Sequence, residues 1–413
     1  MQIGPKQLIA AGAGTVWLLV TAWAWGGHAT ALRAATLGGS PSTLETTSAV
    51  VGRACGINSY TQTAGAQAAT PAQSTQISDQ AFKNVQLLKG IPVDEFMGTM
   101  GLFSAALGMC CLECHNEDWT FDTPRKRTAR RMIAMTDTIN KTNFNGRKVV
   151  TCWTCHRQSD RPAVTAPLDV IYGEPIFWQP DDLFQQAQGA PKPDDVFDKF
   201  IQAAGGAQRL GAVTTIVAKG IGSGFGGSLR SPAELFAKAP NQRTAFIHTV
   251  DGDKTTTYDG THGWLASNVT PVPVMDLTGG ELEGARLDAE LMFPTRIKQM
   301  LTQWRAALPT TINGRSVNVV QGSGKEMTAT LYFDAQTGLL ARVVRFANSA
   351  MGRVPTQLDF DDYRDVSGIK FPYKWSFAWT SGRDLYEISE VQTNVPVDAA
   401  KFGKPLPAKS KIR

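Results

Sequence analysis

The chain has 413 residues, 42% of them hydrophobic and 19% charged, with a formal net charge of +5. That is ordinary for globular protein of two or three domains with a sizeable core. So small a charge argues against a nucleic-acid binder whose affinity rests on many phosphate contacts.

The N-terminus reads as an export signal. Lys6 precedes an uncharged, largely apolar run at residues 8–25, and a small-residue stretch with His28 and Arg33 follows. The run exceeds the roughly 7–15 residues of a cleaved signal and reaches the lower end of the roughly 17–25 that span a bilayer. Residues 1–26 are therefore a signal anchor or a signal peptide. Ala22-Trp23-Ala24 and Ala29-Thr30-Ala31 both offer cleavage sites, so the two readings stay open. In either case Lys6 and the terminal amine stay cytoplasmic and the bulk is placed on the periplasmic side of the cell membrane. Lipid attachment at Cys55 is disfavoured, because Gly52-Arg53-Ala54 puts a charge just before it. The polar, aperiodic stretch that follows the export segment makes residues 27–78 a flexible tether.

Order is expected from Asp79. In the segment 92–108, Phe96, Met100, Phe103 and Leu107 share one helical face. The motif Cys111-Leu112-Glu113-Cys114-His115 comes next. Pro124 opens a second helix, with Ala129, Met132, Met135 and Ile139 on one face and Arg125, Lys126, Arg127, Arg130 and Arg131 crowding the rest. That basic cluster reads as a solvated face, as partners for haem propionates, or as a docking patch. The second motif is Cys152-Trp153-Thr154-Cys155-His156, and a Pro-bearing stretch at 175–193 ends the segment.

Both motifs are C-x-x-C-H, in which two thiols reach the vinyl groups of one haem and the histidine lies under the iron. This composition would give about 0.001 such matches by chance, and there are two. The expected cofactors are two covalently attached haem c groups. They are held by Cys111, Cys114, Cys152 and Cys155, with His115 and His156 as axial ligands. A zinc site or two disulfides are the alternatives, but neither requires a histidine after each pair. With five histidines in the chain, methionine is the economical sixth ligand. Met100 lies in the first helix, and Met132 and Met135 compete in the second.

The run Leu88-Lys89-Gly90-Ile91-Pro92-Val93-Asp94-Glu95-Phe96, then Met100, then the first motif, resembles the photosynthetic reaction-centre cytochrome c subunit family. Ala129-Arg130-Arg131-Met132, Ile139-Asn140 and Val150-Thr151 leading into the second motif extend the likeness over about a hundred residues. The resemblance implies that Met100 ligates the first haem and Met132 the second, with Met97 and Met135 as runners-up. Familiar members carry four haems and place a histidine between the second methionine helix and its cysteine pair. Residues 141–150 contain none, so a di-haem variant is expected.

Cys55 and Cys110 remain, and an oxidising compartment would allow them to pair. Beyond residue 190 the pattern changes. Helices are expected at 194–204 and at 288–304, and strands in most of the remainder, including a hairpin at 328–346. The likeliest fold class is α+β and multidomain. An N-terminal membrane helix precedes a mostly α di-haem domain at 79–180, and a domain at 190–413 forms an antiparallel half-barrel sheet with helices. The second domain loosely resembles periplasmic lipoprotein carriers and could hold an apolar ligand or dock to a partner. His248 and His262 lack a nucleophile motif, so no catalytic constellation appears. The chain reads as an electron carrier rather than an enzyme, with a membrane redox complex, a photosynthetic reaction centre, as partner. A respiratory carrier, or a periplasmic binding or sensing module with secondary haems, is the alternative.

Overall fold

A computed structural model describes residues 76–407, apart from 117, 174–178, 225–228, 251 and 268–271. The expected membrane helix, residues 27–75 of the expected tether, His28 and Cys55 lie outside the described residues, and Ser78, the last residue assigned to the tether, already opens a helix. Among the described residues no helix is long and apolar enough to cross a membrane.

The first part is helical: α1 (Ser78–Ala81), α2 (Val93–Leu107), α3 (Cys111–Cys114), α4 (Pro124–Phe144), α5 (Cys152–His156) and α6 (Leu168–Tyr172). Helix α2 follows Pro92 and stops at Gly108, whose φ of 62° is left-handed. Helix α4 starts where Pro124 fits the first turn, with the Thr123 hydroxyl accepting from the Lys126 amide at 3.2 Å. The expected apolar face of α4 is displaced by one position. Its buried residues are Ile133, Thr136 and Asn140, while Met135 is 45% exposed. The physical reason is tertiary: Ile133 packs with Leu102 of α2 and with Met351, far along the chain.

Helices α7 (Pro193–Ala203) and α8 (Ala207–Gly211) lead into an antiparallel sheet. Its strands are β1 (Thr215–Gly224), β2 (Leu229–Lys238), β3 (Gln242–Thr249), β4 (Gly252–Tyr258), β5 (Gly263–Ala266), β6 (Val274–Leu277), β7 (Thr302–Ile312), β8 (Arg315–Ser323), β9 (Met327–Asp334), β10 (Leu340–Ser349), β11 (Gly352–Val366), β12 (Ile369–Trp379) and β13 (Gly382–Thr393). The order is β6-β5-β4-β3-β2-β1-β13-β12-β11-β10-β9-β8-β7, so β6 and β7 form opposite edges of an open sheet. The architecture is α+β, as expected. The anticipated hairpin is present as β9 and β10, with Leu340 opposite Phe333.

The chain from β6 to β7 must cross one face, and it does so as α9 (Gly279–Glu290), a short turn at Pro294–Arg296 and α10 (Ile297–Met300). The single helix expected at 288–304 is thereby corrected. Pro294 interrupts it, Gln303 turns at a φ of 51°, and Trp304 belongs to β7. The start of α9 was hidden by glycines, which sequence reading treats as breakers. A β-carbon at Gly284 would lie 2.3 Å from Arg345 Nε, so this helix lies too close to the sheet for a side chain there.

Strand alternation gives the sheet two faces. Leu331, Phe333 and Val343 join Phe197, Phe200, Leu287 and Ile297 of the helices in the main core. Val317, Val319, Tyr332, Val344 and Phe346 line the other face, with Phe184 packed on them. The helical part docks through Asp94 of α2, which accepts from the amide and hydroxyl of Thr278 at 2.6 and 2.8 Å, and through Lys148 Nζ, which donates to Ser349 O at 2.5 Å.

Under α9, Arg345 Nη1 donates to Asp288 Oδ1 at 2.5 Å, with side chains only 5% and 8% exposed. Burial also pushes the Glu281 carboxyl upward, opposed by Arg345. Arg345→Met would strand the Asp288 charge and is expected to cost about 3–5 kcal/mol. Urea unfolding checks this. The double change with Asp288→Leu should recover most of the loss, because an apolar pair replaces the ion pair, and a double variant as unstable as the single one would contradict it.

Candidate haem-attachment site

Each motif occupies a single helical turn. In the first, the Glu113 carboxylate accepts the Cys110 amide at 2.7 Å, and the His115 amide donates to Cys111 O at 2.8 Å, closing α3. In the second, the Thr154 hydroxyl accepts the Thr151 amide at 3.0 Å at the start of α5. The turn puts both thiols and the following imidazole within one short element, which is what attachment to one haem requires.

The donor set fits such attachment. Cys111, Cys114, Cys152 and Cys155 are free thiols, so the alternative of two motif disulfides is not realised. Burial pushes the Cys111 and Cys114 thiols up and that of Cys152 up to about 11, keeping them as S–H groups able to add across a vinyl bond. Among the described residues no group of three or more His, Cys, Asp or Glu is arranged to hold a metal ion, so the zinc reading finds no ligand set. Cys110 is disulfide-bonded, and the expectation about Cys55 falls outside the described residues.

The two histidines differ in their support. His156 Nδ1 is 2.9 Å from Ser159 O, and since a carbonyl only accepts, Nδ1 carries a proton and donates to it, which orients the ring. His115 Nδ1 is buried with no hydrogen-bond partner among the described residues. Its ring leans on Trp119 at 4.6 Å. Burial, reinforced by Lys126, pushes the pKa of His115 down to about 4, so the imidazole is neutral and has a lone pair to donate.

Helix α4 spans the interval between the motifs. Near its start, Thr123 Oγ1 donates to Cys114 O and Arg125 Nη1 to Glu113 O, both at 2.7 Å. Towards its end, Asn140 donates to Val150 O at 2.8 Å and accepts the Val150 amide at 2.9 Å. Met132 lies midway, about 12 Å along the helix from Pro124 and from Asn140. It is half-buried, unlike Met135. Helix α2, with Met97 and Met100 both half-buried, packs against α5, and the Gln158 amide donates to Ala106 O at 2.9 Å. A β-carbon at Gly108 would lie 2.4 Å from Gln158 O, so only glycine lets α2 end there.

Sequence reading missed Ser159, Thr123 and Trp119, and it named Asn140 within the resemblance without giving it a role. Asn140 left one usable signal, a polar residue at helical spacing from Ile133 and Thr136. The basic cluster is largely engaged locally. Lys126 Nζ donates to Trp119 O at 2.6 Å and Arg130 pairs with Asp122 at 2.5 Å, which binds the loop after the first motif to α4. His248 lies between Asp253 and Glu234, and His262 faces Asp259, as satisfied surface histidines do.

Solved structures similar to the chain include a DUF1329 family protein from Desulfovibrio piger, at 12% identity over 51% of this chain and 96% of that one, with a TM-score of 0.36. A LolA superfamily protein from Nitrosomonas europaea is 10% identical over 52% of this chain and 99% of that one, with a TM-score of 0.34. Among curated proteins, the photosynthetic reaction center cytochrome c subunit of Rubrivivax gelatinosus is 34% identical over 90 residues. The aligned part is 21% of this chain and 25% of that relative, so the chain spans about a quarter of the relative's length. Residues 46–169, which contain both C-x-x-C-H motifs and both methionine helices, match the family described as photosynthetic reaction centre cytochrome C subunit, as the resemblance in the motifs implied.

Proposed function

We propose that the chain is a periplasmic, membrane-tethered di-haem c-type cytochrome that passes electrons to a photo-oxidised reaction centre. In this reading residues 1–26 anchor or export the chain, 27–78 tether it, 79–180 hold the haems and 190–413 form the β-rich positioning domain. The observation that carries it is the pair of C-x-x-C-H turns with free thiols, each preceded by a helix with a half-buried methionine, inside the segment that matches the family.

Cys111 and Cys114 would hold one haem and Cys152 and Cys155 the other, with His115 and His156 as proximal ligands. Bound haem supplies one-electron chemistry at its iron. The chain keeps the His115 imidazole neutral and orients that of His156 through Ser159 O, and Met100 and Met132 would serve as thioether ligands that favour the reduced state. With His115 and Met100, and His156 and Met132, as its ligands, neither iron would keep a position for a gas, which favours outer-sphere transfer over sensing. A tether of about fifty residues keeps a weak docking surface at high local concentration near a membrane partner.

Denatured protein from a host that matures c-type cytochromes should retain the mass of two haems, and Cys155→Ala should cost one thioether of the second haem while the first stays intact. A single-haem mass refutes the count. Met100→Ala and Met132→Ala should each abolish the sulfur-to-iron absorption band of one haem and lower its potential. Unchanged spectra would transfer the assignment to Met97 and Met135. On flash excitation of membranes, haem oxidation should match the time course of pigment re-reduction and vanish in a deletion strain. Haems that stay reduced after the flash yet oxidise with a respiratory acceptor would replace the photosynthetic role by the respiratory one.

A further inference from the structure

The two C-x-x-C-H turns offer the same ligand types, so a difference between haems held there comes from what surrounds each imidazole. A cation stands beside the first. Lys126 is half-buried, and its Nζ donates to Trp119 O at 2.6 Å and to Phe121 O at 3.0 Å. The ring of Trp119 rests on that of His115 at 4.6 Å, so the ammonium is held by the residue that packs against the proximal imidazole. It is close enough for its charge to oppose protonation of His115.

That charge is not cancelled where it sits. Both partners of Lys126 are carbonyls, and among the described residues no carboxylate reaches ion-pair distance of it. Of the two acids whose charge acts on it, Asp122 is paired with Arg130 at 2.5 Å, and Asp118 accepts the amide and the hydroxyl of Thr120 at 2.9 and 2.6 Å. At the second motif the balance differs. Arg157 and Arg161 are exposed, where water and salt screen them. His156 Nδ1 donates to Ser159 O at 2.9 Å, a bond that makes a ligating imidazole more basic and so favours the oxidised iron. His115 Nδ1 has no such acceptor among the described residues.

Resting on the two-haem reading above, we propose that Lys126 tunes the first site: fixed beside the proximal imidazole, its positive charge favours the reduced iron and sets the potential of the first haem above that of the second. One electron on the chain then passes from a reduced second haem to an oxidised first one, with no proton moved and no bond made or broken.

The test is a spectroelectrochemical titration of full-length holoprotein whose mass has first been measured. A single-haem mass overturns the two-haem reading and the proposal together, whereas a two-haem mass leaves the potentials to decide the proposal alone. Cys152→Ala with Cys155→Ala, which leaves only the first haem attached, assigns the two waves. The first haem should titrate above the second by at least about 59 mV, a tenfold internal preference for one electron. Lys126→Gln, which removes the charge and keeps a donor, should lower that preference by about 3- to 10-fold with the second wave in place, and Lys126→Arg should keep it. A first haem at or below the second overturns the proposal, as does a gap unchanged in Lys126→Gln. So does a loss in Lys126→Arg as large as in Lys126→Gln, since packing and not charge would then be responsible. Should Lys126→Gln fail to hold the first haem, Lys126→Met takes its place with the same expected loss, and if both fail the order of the waves in the unaltered protein decides.

Discussion

Strands β6 and β7 occupy opposite edges of the sheet, so the chain between them has to traverse a whole face, and much of the rest follows from that crossing. A traverse over apolar strands is stable only if it buries an apolar stripe and satisfies its own backbone, so it runs as α9 and α10. Leu287 and Ile297 then enter the core with Phe197 and Phe333. The crossing lies so close to β10 that Gly280 and Gly284 have no room for side chains, and Arg345 meets Asp288 in the gap.

The same crossing registers the helical segment on the sheet. The residue that precedes α9, Thr278, gives its amide and hydroxyl to Asp94 of α2. Burial raises the Asp94 carboxyl, and the two bonds from Thr278 oppose that rise. A second tie is Lys148 on Ser349, and a third is the small cluster of Leu102, Ile133 and Met351. Both C-x-x-C-H turns thus belong to a helical segment that is tied to the sheet as well as packed on itself.

Within that frame the two C-x-x-C-H turns are unequal. The second has its imidazole oriented by Ser159 O and its entry residue Thr151 packed on Gly352 of the sheet. The first has a buried imidazole leaning on Trp119, a loop drawn to α4 by Lys126, and a disulfide at the adjoining Cys110. Differences in burial and in the support of a proximal ligand are levers that separate the electronic character of two otherwise identical motifs.

The two C-x-x-C-H motifs were legible in the amino-acid order, because they depend on covalent spacing: two thiols and an imidazole within five residues need no distant partner to be recognised. The bounds of α2 and the start of α4 were legible too, since Pro92, Gly108 and Pro124 act through local backbone geometry. So was the hairpin of β9 and β10, where alternation and a turn suffice. Tertiary structure alone decided which side of α4 is buried, because Ile133 and Asn140 are chosen by Met351 and Val150 and not by helical periodicity. It also decided where α9 begins, since Gly280 weakens a helix by local propensity yet is required where helix and sheet nearly touch.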